Sequence, residues 1–376
     1  MLNLVGSTEQ LGEFALFNTA PEEYSTFYDT WGTCKLGDPD YKKIFKKDLL
    51  IDSIVEKLSN VTLYYIKLNS GRGDELVYFR KGNNIFHGEK VWSSFHPFFE
   101  LLETINPSVY IEDPAVYIGS KNNFTHQLVD SFPSLLLYQK EIQSNLLGKQ
   151  RKLVFGSSNK ILDQLIDFIS PEHDIQLRSN NIIWLNSTGK PYLVGDLSIT
   201  AIHFNDILIV KHISIFKSFE LLSSFFAVSK EESKVQRRHL PDFKIGYFSR
   251  PDLRVVNNID LKKLINEQDG IIIGDIQEYD FQARIDYLSS FSALVLPPGS
   301  DNINAFCFSS DRCKFIQLVS VAPTFCASNP FYSFAGYRYM LPFLDRIHLL
   351  PCVSKTGLHE GLWDPHALEQ LLLDCA

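Results

Sequence analysis

Lys244-Ile245-Gly246-Tyr247-Phe248, followed at once by Ser249-Arg250-Pro251-Asp252-Leu253-Arg254-Val255-Val256-Asn257-Asn258, decides the fold. The first part is a short apolar run of strand length. The second puts two arginines and several small polar residues where a strand ends and a helix begins. A helix start offers backbone N–H groups and a favourable dipole to an anion. Arginine forks match phosphate oxygens in pairs. From Lys244 to Leu318 the chain continues as strand, basic loop, helix, strand, helix, strand, glycine turn, helix, strand. The second turn, Pro297-Pro298-Gly299-Ser300-Asp301-Asn302, follows the apolar run Ala293-Leu294-Val295-Leu296. Two anion-ready turns at the carboxyl ends of parallel strands imply a nucleotide site, because open α/β sheets bind ligands there.

Upstream, Leu63–Leu68 and Glu75–Phe79 read as strands around the turn at 69–74. Val109–Ile111 and Ala115–Ile118 are further strands. A helix is predicted from Phe124 to about Gln143, apolar at Leu128, Phe132, Leu135 and Leu136. Lys152–Phe155, Ile182–Leu185 and Tyr192–Val194 continue the strands, with a helix at Ile161–Ile169. This alternation predicts an α/β chain with largely parallel sheets covered by helices on both faces. At 376 residues the chain is long for a single core, so two domains are expected. The charged stretch Ser229–His239 reads as the linker between them rather than as a solvated helix end, because a new strand–helix series starts just after Pro241. That divides the chain into residues 1–238 and 239–376. A short last helix is predicted over Pro365–Leu373, with proline at its first position.

Composition narrows the function. Hydrophobic residues make up 45% and charged residues 21%, as in an ordinary folded protein. The net charge of −8 argues against a nucleic-acid partner, which needs excess Lys and Arg. Residues 1–10 lack a basic n-region and a long apolar core, and no run approaches bilayer-spanning length, so a cytoplasmic setting is expected. The six cysteines are scattered without CxxC pairs, which fits reduced thiols better than disulfides or zinc. Asp38-Pro39-Asp40 reads as a turn, and His359, Glu360 and His366 lack the H-E-x-x-H spacing of a helical metal site. The missing G-x-G-x-x-G argues against a dinucleotide enzyme, a reading that NADH titration would test. The aromatic stretch Phe331–Tyr339 either lines a ligand site or packs beneath the second domain.

Three patches resemble glycosyltransferase family 61. Asn123–Leu135, with His126, Asp130 and Pro133, is similar to the pattern N-x-x-H-W-L-x-D-x-x-P. Lys244–Leu261 is similar to a strand followed by S-R-x-x-x-R-x-x-N-E. Ala293–Leu318 is similar to V-G-P-H-G-A-G-L-x-N and the strand after it. The chain departs from these patterns at Gln127 (tryptophan), Asn258 and Gln317 (acids), Pro298 (histidine) and Asp301 (glycine).

The resemblance implies a GT-B arrangement, two Rossmann-like domains facing across a cleft. It implies an inverting, metal-independent transferase that moves sugar from a nucleotide donor, a UDP-sugar, to a glycan or lipid-linked acceptor. It places such an enzyme in polysaccharide biosynthesis (capsule or lipopolysaccharide) at the cytoplasmic side, where peripheral membrane association is compatible although no basic amphipathic helix announces it. No cofactor is implied. His126 and Asp130 lie four apart on one helix face, so one is expected to act as base while the other orients it. The donor is assigned to Ser249, Arg250, Arg254, Asn257, Gly299, Ser300, Asn304 and Gln317. An inactive glycan- or nucleotide-binding relative is the alternative, because the family's histidine and acids are replaced.

Overall fold

The structure, a computed structural model, describes residues 53–68, 75–87, 99–119, 126–139, 151–157, 162–165, 168, 182–236, 244–249, 258–276, 278–297, 302–321, 339, 341–343, 346–353, 363 and 365–375. They are α/β, with one mixed and one parallel sheet. They fall into two compact units, within 51–221 and 222–376.

The first unit is built on two long antiparallel strands, β1 (Ser53–Leu68) and β9 (Leu197–Ile213), paired from Ser53↔Ile213 to Leu68↔Leu197. On the outer side of β1, β2 (Glu75–Lys81) and β3 (Asn84–His87) add as antiparallel hairpins. The other edge of β9 is shared by β8 (Tyr192–Val194), β4 (Val109–Ile111) and β5 (Ala115–Gly119). Next to β5 lie β6 (Lys152–Phe155) and β7 (Ile182–Trp184), all three parallel to β9. The sheet is therefore mixed, which corrects the expectation of a largely parallel one. Hairpin-length connections before β2, β3 and β9 allow only antiparallel pairing, whereas parallel pairs need a longer crossover.

This sheet curls over on itself. In strand order, β2 is three neighbours from β5, about 14 Å in a flat sheet. Yet the Phe79 and Tyr117 rings meet edge-to-face at 5.5 Å. Val77 and Phe79 share one core with Val154, Ile183, Phe204 and Ile207. On the opposite face, helix α1 (Phe99–Thr104) helps cover a second core of Tyr64, Ile66, Tyr78 and Ile199.

Arg151, Asp206 and Lys57 fasten the middle of this sheet. Arg151 donates to both Asp206 oxygens at 3.1 Å and to Ala115 O at 3.2 Å, and Lys57 Nζ lies 3.2 Å from Asp206 Oδ2. Burial alone would raise the Asp206 pKa, but hydrogen bonds and charge from Arg151 and Lys57 outweigh it and hold the carboxyl below its ordinary 3.8. A depressed carboxyl stabilises the fold fully above that ordinary value and loses its effect as pH falls through the lowered one. Asp206→Asn should cost about 2–4 kcal/mol at neutral pH. In denaturant titrations the gap to wild type should shrink below pH 3.8. A gap that persists unchanged there contradicts the ion-pair account.

A long helix, α3 (Ile215–Gln236), follows β9, and the change of unit falls within it, between Leu221 and Leu222. The charged stretch read as a linker is thus helical as far as Gln236. Its run of Lys, Glu and Gln consists of good helix formers, and Ser229 and Lys230 at its start are buried.

The second unit is a five-stranded parallel sheet. Its strands are β10 (Ile245–Phe248), β11 (Ile271–Ile273), β12 (Ala293–Leu296), β13 (Lys314–Val321) and β14 (Ile347–Val353), in the spatial order β11-β10-β12-β13-β14. Helices α4 (Asn258–Glu267), α5 (Phe281–Leu288) and α6 (Asn302–Phe308) connect the first four, and α7 (Pro365–Cys375) follows β14. Strands β10 and β12 are buried at every position, which is why they read as continuous apolar runs. Leu261, Leu264 and Ile265 of α4 pack with Leu368 and Leu372 of α7 against Tyr247, Val295 and Ile316. Phe226 of α3 meets Phe308 and Phe281 at ring distances of 5.1 and 6.4 Å.

Candidate functional site

In the second unit the strand order reverses at β10. The chain goes first to β11 on one side, then returns to β12 on the other. The carboxyl ends of β10 and β12 flank this switch point, where open sheets bind ligands. Ser249 lies just past β10, and its N–H donates to Ile273 O at 2.9 Å. Pro297 lies just past β12. The two segments that the sequence singled out thus begin at the two strand ends that bound the switch point. Of the donor-assigned residues, Arg250, Arg254, Asn257, Gly299 and Ser300 lie outside the described residues, as do Pro298 and Asp301.

Asn304 and Gln317 are described, and both are buried within a hydrogen-bonded frame. Gln317 Nε2 donates to Leu296 O (3.0 Å), Pro297 O (3.3 Å) and Leu318 O (3.0 Å), and its Oε1 accepts from Asn302 Nδ2 at 2.7 Å. Backbone carbonyls only accept, so the amide's orientation is dictated. Gln317 therefore ties the end of β12 to β13 and to the start of α6. Asn304 Oδ1 accepts from Arg284 Nη1 at 3.3 Å. Arg284 is only 1% exposed, donates from Nε to Tyr279 O at 2.9 Å and lies over the Phe281 ring. Burial lowers its pKa, opposed by the charges of Asp275 and Asp280. At the start of α4, the Tyr247 hydroxyl donates to Asn258 Oδ1 at 2.8 Å.

The first unit has its own switch point. Strands β5, β6 and β7 step outward in one direction, and β9 then adds on the other side of β5. The chain leaves β5 at Gly119 and returns at His126, whose turn, Gln127–Ser131, is π-helical and runs into α2 (Phe132–Leu137). Phe132 N–H reaches back five residues to Gln127 O. Pro133 explains the widened turn: it has no N–H, and its ring crowds the carbonyl four residues back.

His126 Nδ1 lies 2.7 Å from Asp130 Oδ2. An ionised carboxylate can only accept, so Nδ1 carries the proton, and the basic nitrogen of the neutral ring is Nε2. Between 126 and 138 every residue is buried except these two, whose side chains are 23% and 28% exposed. The turn thus presents one imidazole–carboxylate pair and hides the rest. Beside it, Gln127 is buried and its Oε1 makes no hydrogen bond.

Close approach of β5 to this turn depends on Gly119. Its φ is +155°, and a Cβ there would meet Ser131 Oγ and lie 3.0 Å from Ser131 Cβ. Gly119→Ala should destabilise the protein by about 1–3 kcal/mol. Urea titration checks this, and unchanged stability would show that β5 and the turn are not tightly apposed.

Sequence reasoning passed over a third feature. Gly156 N–H donates to Gly119 O at 3.0 Å, and the next residue, Ser157, donates to buried Glu75 Oε1 at 2.7 Å. A second carboxylate therefore reaches the carboxyl edge of β5 and β6. Only the curling of the sheet brings together residues 82 positions apart, and no local pattern announces it.

Among the described residues, no group of three or more His, Cys, Asp or Glu is placed to hold a metal ion. His366 lies on α7 and is highly exposed, 3.7 Å from Glu369 Oε2. Asp38, Asp40, His359 and Glu360 lie outside the described residues, as does all of the aromatic stretch at 331–339 except Tyr339. No helix among the described residues is long and apolar enough to cross a membrane. Comparison with protein-family models finds no match to this chain, and comparison with curated proteins finds none either.

Proposed function

We propose that this protein is an inverting, metal-independent glycosyltransferase of the two-domain GT-B type, with a nucleotide sugar, a UDP-sugar, as donor. The second unit holds the nucleotide diphosphate at the carboxyl ends of β10 and β12. Arg250 and Arg254 neutralise it, and Ser249, Asn257, Gly299 and Ser300 supply hydrogen bonds or close backbone approach. The first unit presents the acceptor, a glycan or lipid-linked sugar of polysaccharide biosynthesis, at the cytoplasmic side of a membrane. His126 Nε2 takes the proton from the acceptor hydroxyl as its oxygen bonds to the anomeric carbon. The bond from that carbon to the diphosphate breaks, and UDP leaves with the electron pair. Asp130 holds the imidazole in the required tautomer and stabilises its cation. Gln317 serves by tying the end of β12 to β13 and to the start of α6, and Asn304 by accepting from buried Arg284 on α5.

One observation carries this reading: the basic segment and the glycine turn both start at the switch point of a parallel sheet. Incubating the protein with a panel of nucleotide sugars and following release of the nucleotide tests it. Turnover of at least one UDP-sugar is expected, and no turnover of any, with or without glycan acceptors, contradicts it. A second reading draws support from Gln317. Its amide is engaged at both ends within the protein, where the family pattern has an acid. A relative that binds nucleotide without turnover would give UDP binding and a silent assay.

A further inference from the structure

Gln317 dictates the polarity of the amide beside it. Its Nε2 is taken up by the carbonyls of Leu296, Pro297 and Leu318, so its Oε1 faces Asn302. An oxygen of this kind only accepts, so Asn302 answers with Nδ2, at 2.7 Å. That leaves Asn302 Oδ1, which makes no hydrogen bond although the residue is only 5% exposed. Asn302 opens α6, the first helix after β12, and through Gln317 it is tied to the carboxyl end of that strand, beside the switch point. We infer that Asn302 Oδ1 is a binding site for a ribose hydroxyl of the nucleotide.

The inference rests on the proposed donor site in the second unit. Buried polar atoms are nearly always hydrogen-bonded, and one left unbonded has lost its water without a replacement. A ligand that donates there restores what burial removed. Phosphate oxygens are acceptors, so the diphosphate does not serve. A hydroxyl donates as well as accepts, and the hydroxyls common to every ribonucleotide sugar donor are those of its ribose. The Asn302 amide cannot turn over to offer Nδ2 instead, because its oxygen would then face Gln317 Oε1. It is thus held as an acceptor before the ligand arrives, and binding spends nothing on reorienting it. Asn302→Leu removes the acceptor while nearly keeping the volume.

Calorimetric titration of wild type and Asn302→Leu with UDP, 2′-deoxy-UDP and 3′-deoxy-UDP, well below the melting temperature, tests this. Wild type should bind one of the two deoxy analogues about three- to tenfold more weakly than UDP, the worth of one hydrogen bond. Asn302→Leu should lose a similar factor toward UDP and no longer tell UDP from that analogue, because the two changes remove the same bond. A purely structural role for Asn302 would lower the melting temperature and leave the preference for UDP intact, which overturns the inference alone. Wild type that binds UDP and both analogues equally also overturns it alone, and that comparison stands even where Asn302→Leu fails to fold. Wild type that binds no UDP overturns it together with the proposed function.

Discussion

UDP should bind the Arg250→Ala/Arg254→Ala variant about a hundred- to ten-thousandfold more weakly than it binds wild type. Each arginine is assigned charge-assisted hydrogen bonds to the diphosphate, worth roughly 1.5–3 kcal/mol apiece. The assignment follows from position. Strand β10 ends at Phe248 beside the switch point, α4 begins at Asn258, and both arginines lie between. A net charge of −8 sharpens the argument, because the protein as a whole repels a diphosphate and affinity must come from local cations. Isothermal calorimetry measures the effect, with circular dichroism to verify the fold. Wild-type binding should also weaken as salt is raised. Unchanged affinity in the double variant would remove both arginines from the site.

The second large effect belongs to the imidazole. His126→Ala should slow sugar transfer by about a hundred- to ten-thousandfold, the usual worth of a positioned general base. The fold should survive, because the His126 side chain is partly exposed and the turn is held by buried Leu128, Val129 and Phe132. UDP affinity should stay near the wild-type value, since the donor is assigned to the other unit. Near-normal turnover in His126→Ala with a good acceptor dismisses it as the base.

The parts of this fold that were legible in the sequence are those with local causes. Strands β10 and β12 announce themselves as fully apolar runs ending in small polar residues and glycine. His126 and Asp130 are four apart in a helical segment, and the structure puts them in contact. The illegible parts depend on distant partners. Strand β9 contains Asn205-Asp206, residue types that favour turns. There Arg151 and Lys57 hold the Asp206 carboxylate within the sheet. Strand β1 is masked in the same way by Ser59-Asn60, where Asn60 takes a positive φ of 52° within the strand. The helical tail of α3 reads as a linker in the sequence because its polarity outweighs its helix propensity. Glu75–Ser157 and Arg284–Asn304 are tertiary pairs without periodicity. Gln317 shows a further limit: residue type suggested a ligand contact, but only the structure shows its amide committed to Asn302 and three carbonyls.

A crystal structure of the protein soaked with UDP tests the central claim most directly. The expected result is diphosphate density at the carboxyl ends of β10 and β12, with the Arg250 and Arg254 guanidinium groups within hydrogen-bonding distance of its oxygens. UDP bound elsewhere, or a switch point that stays empty at saturating UDP, would contradict the account.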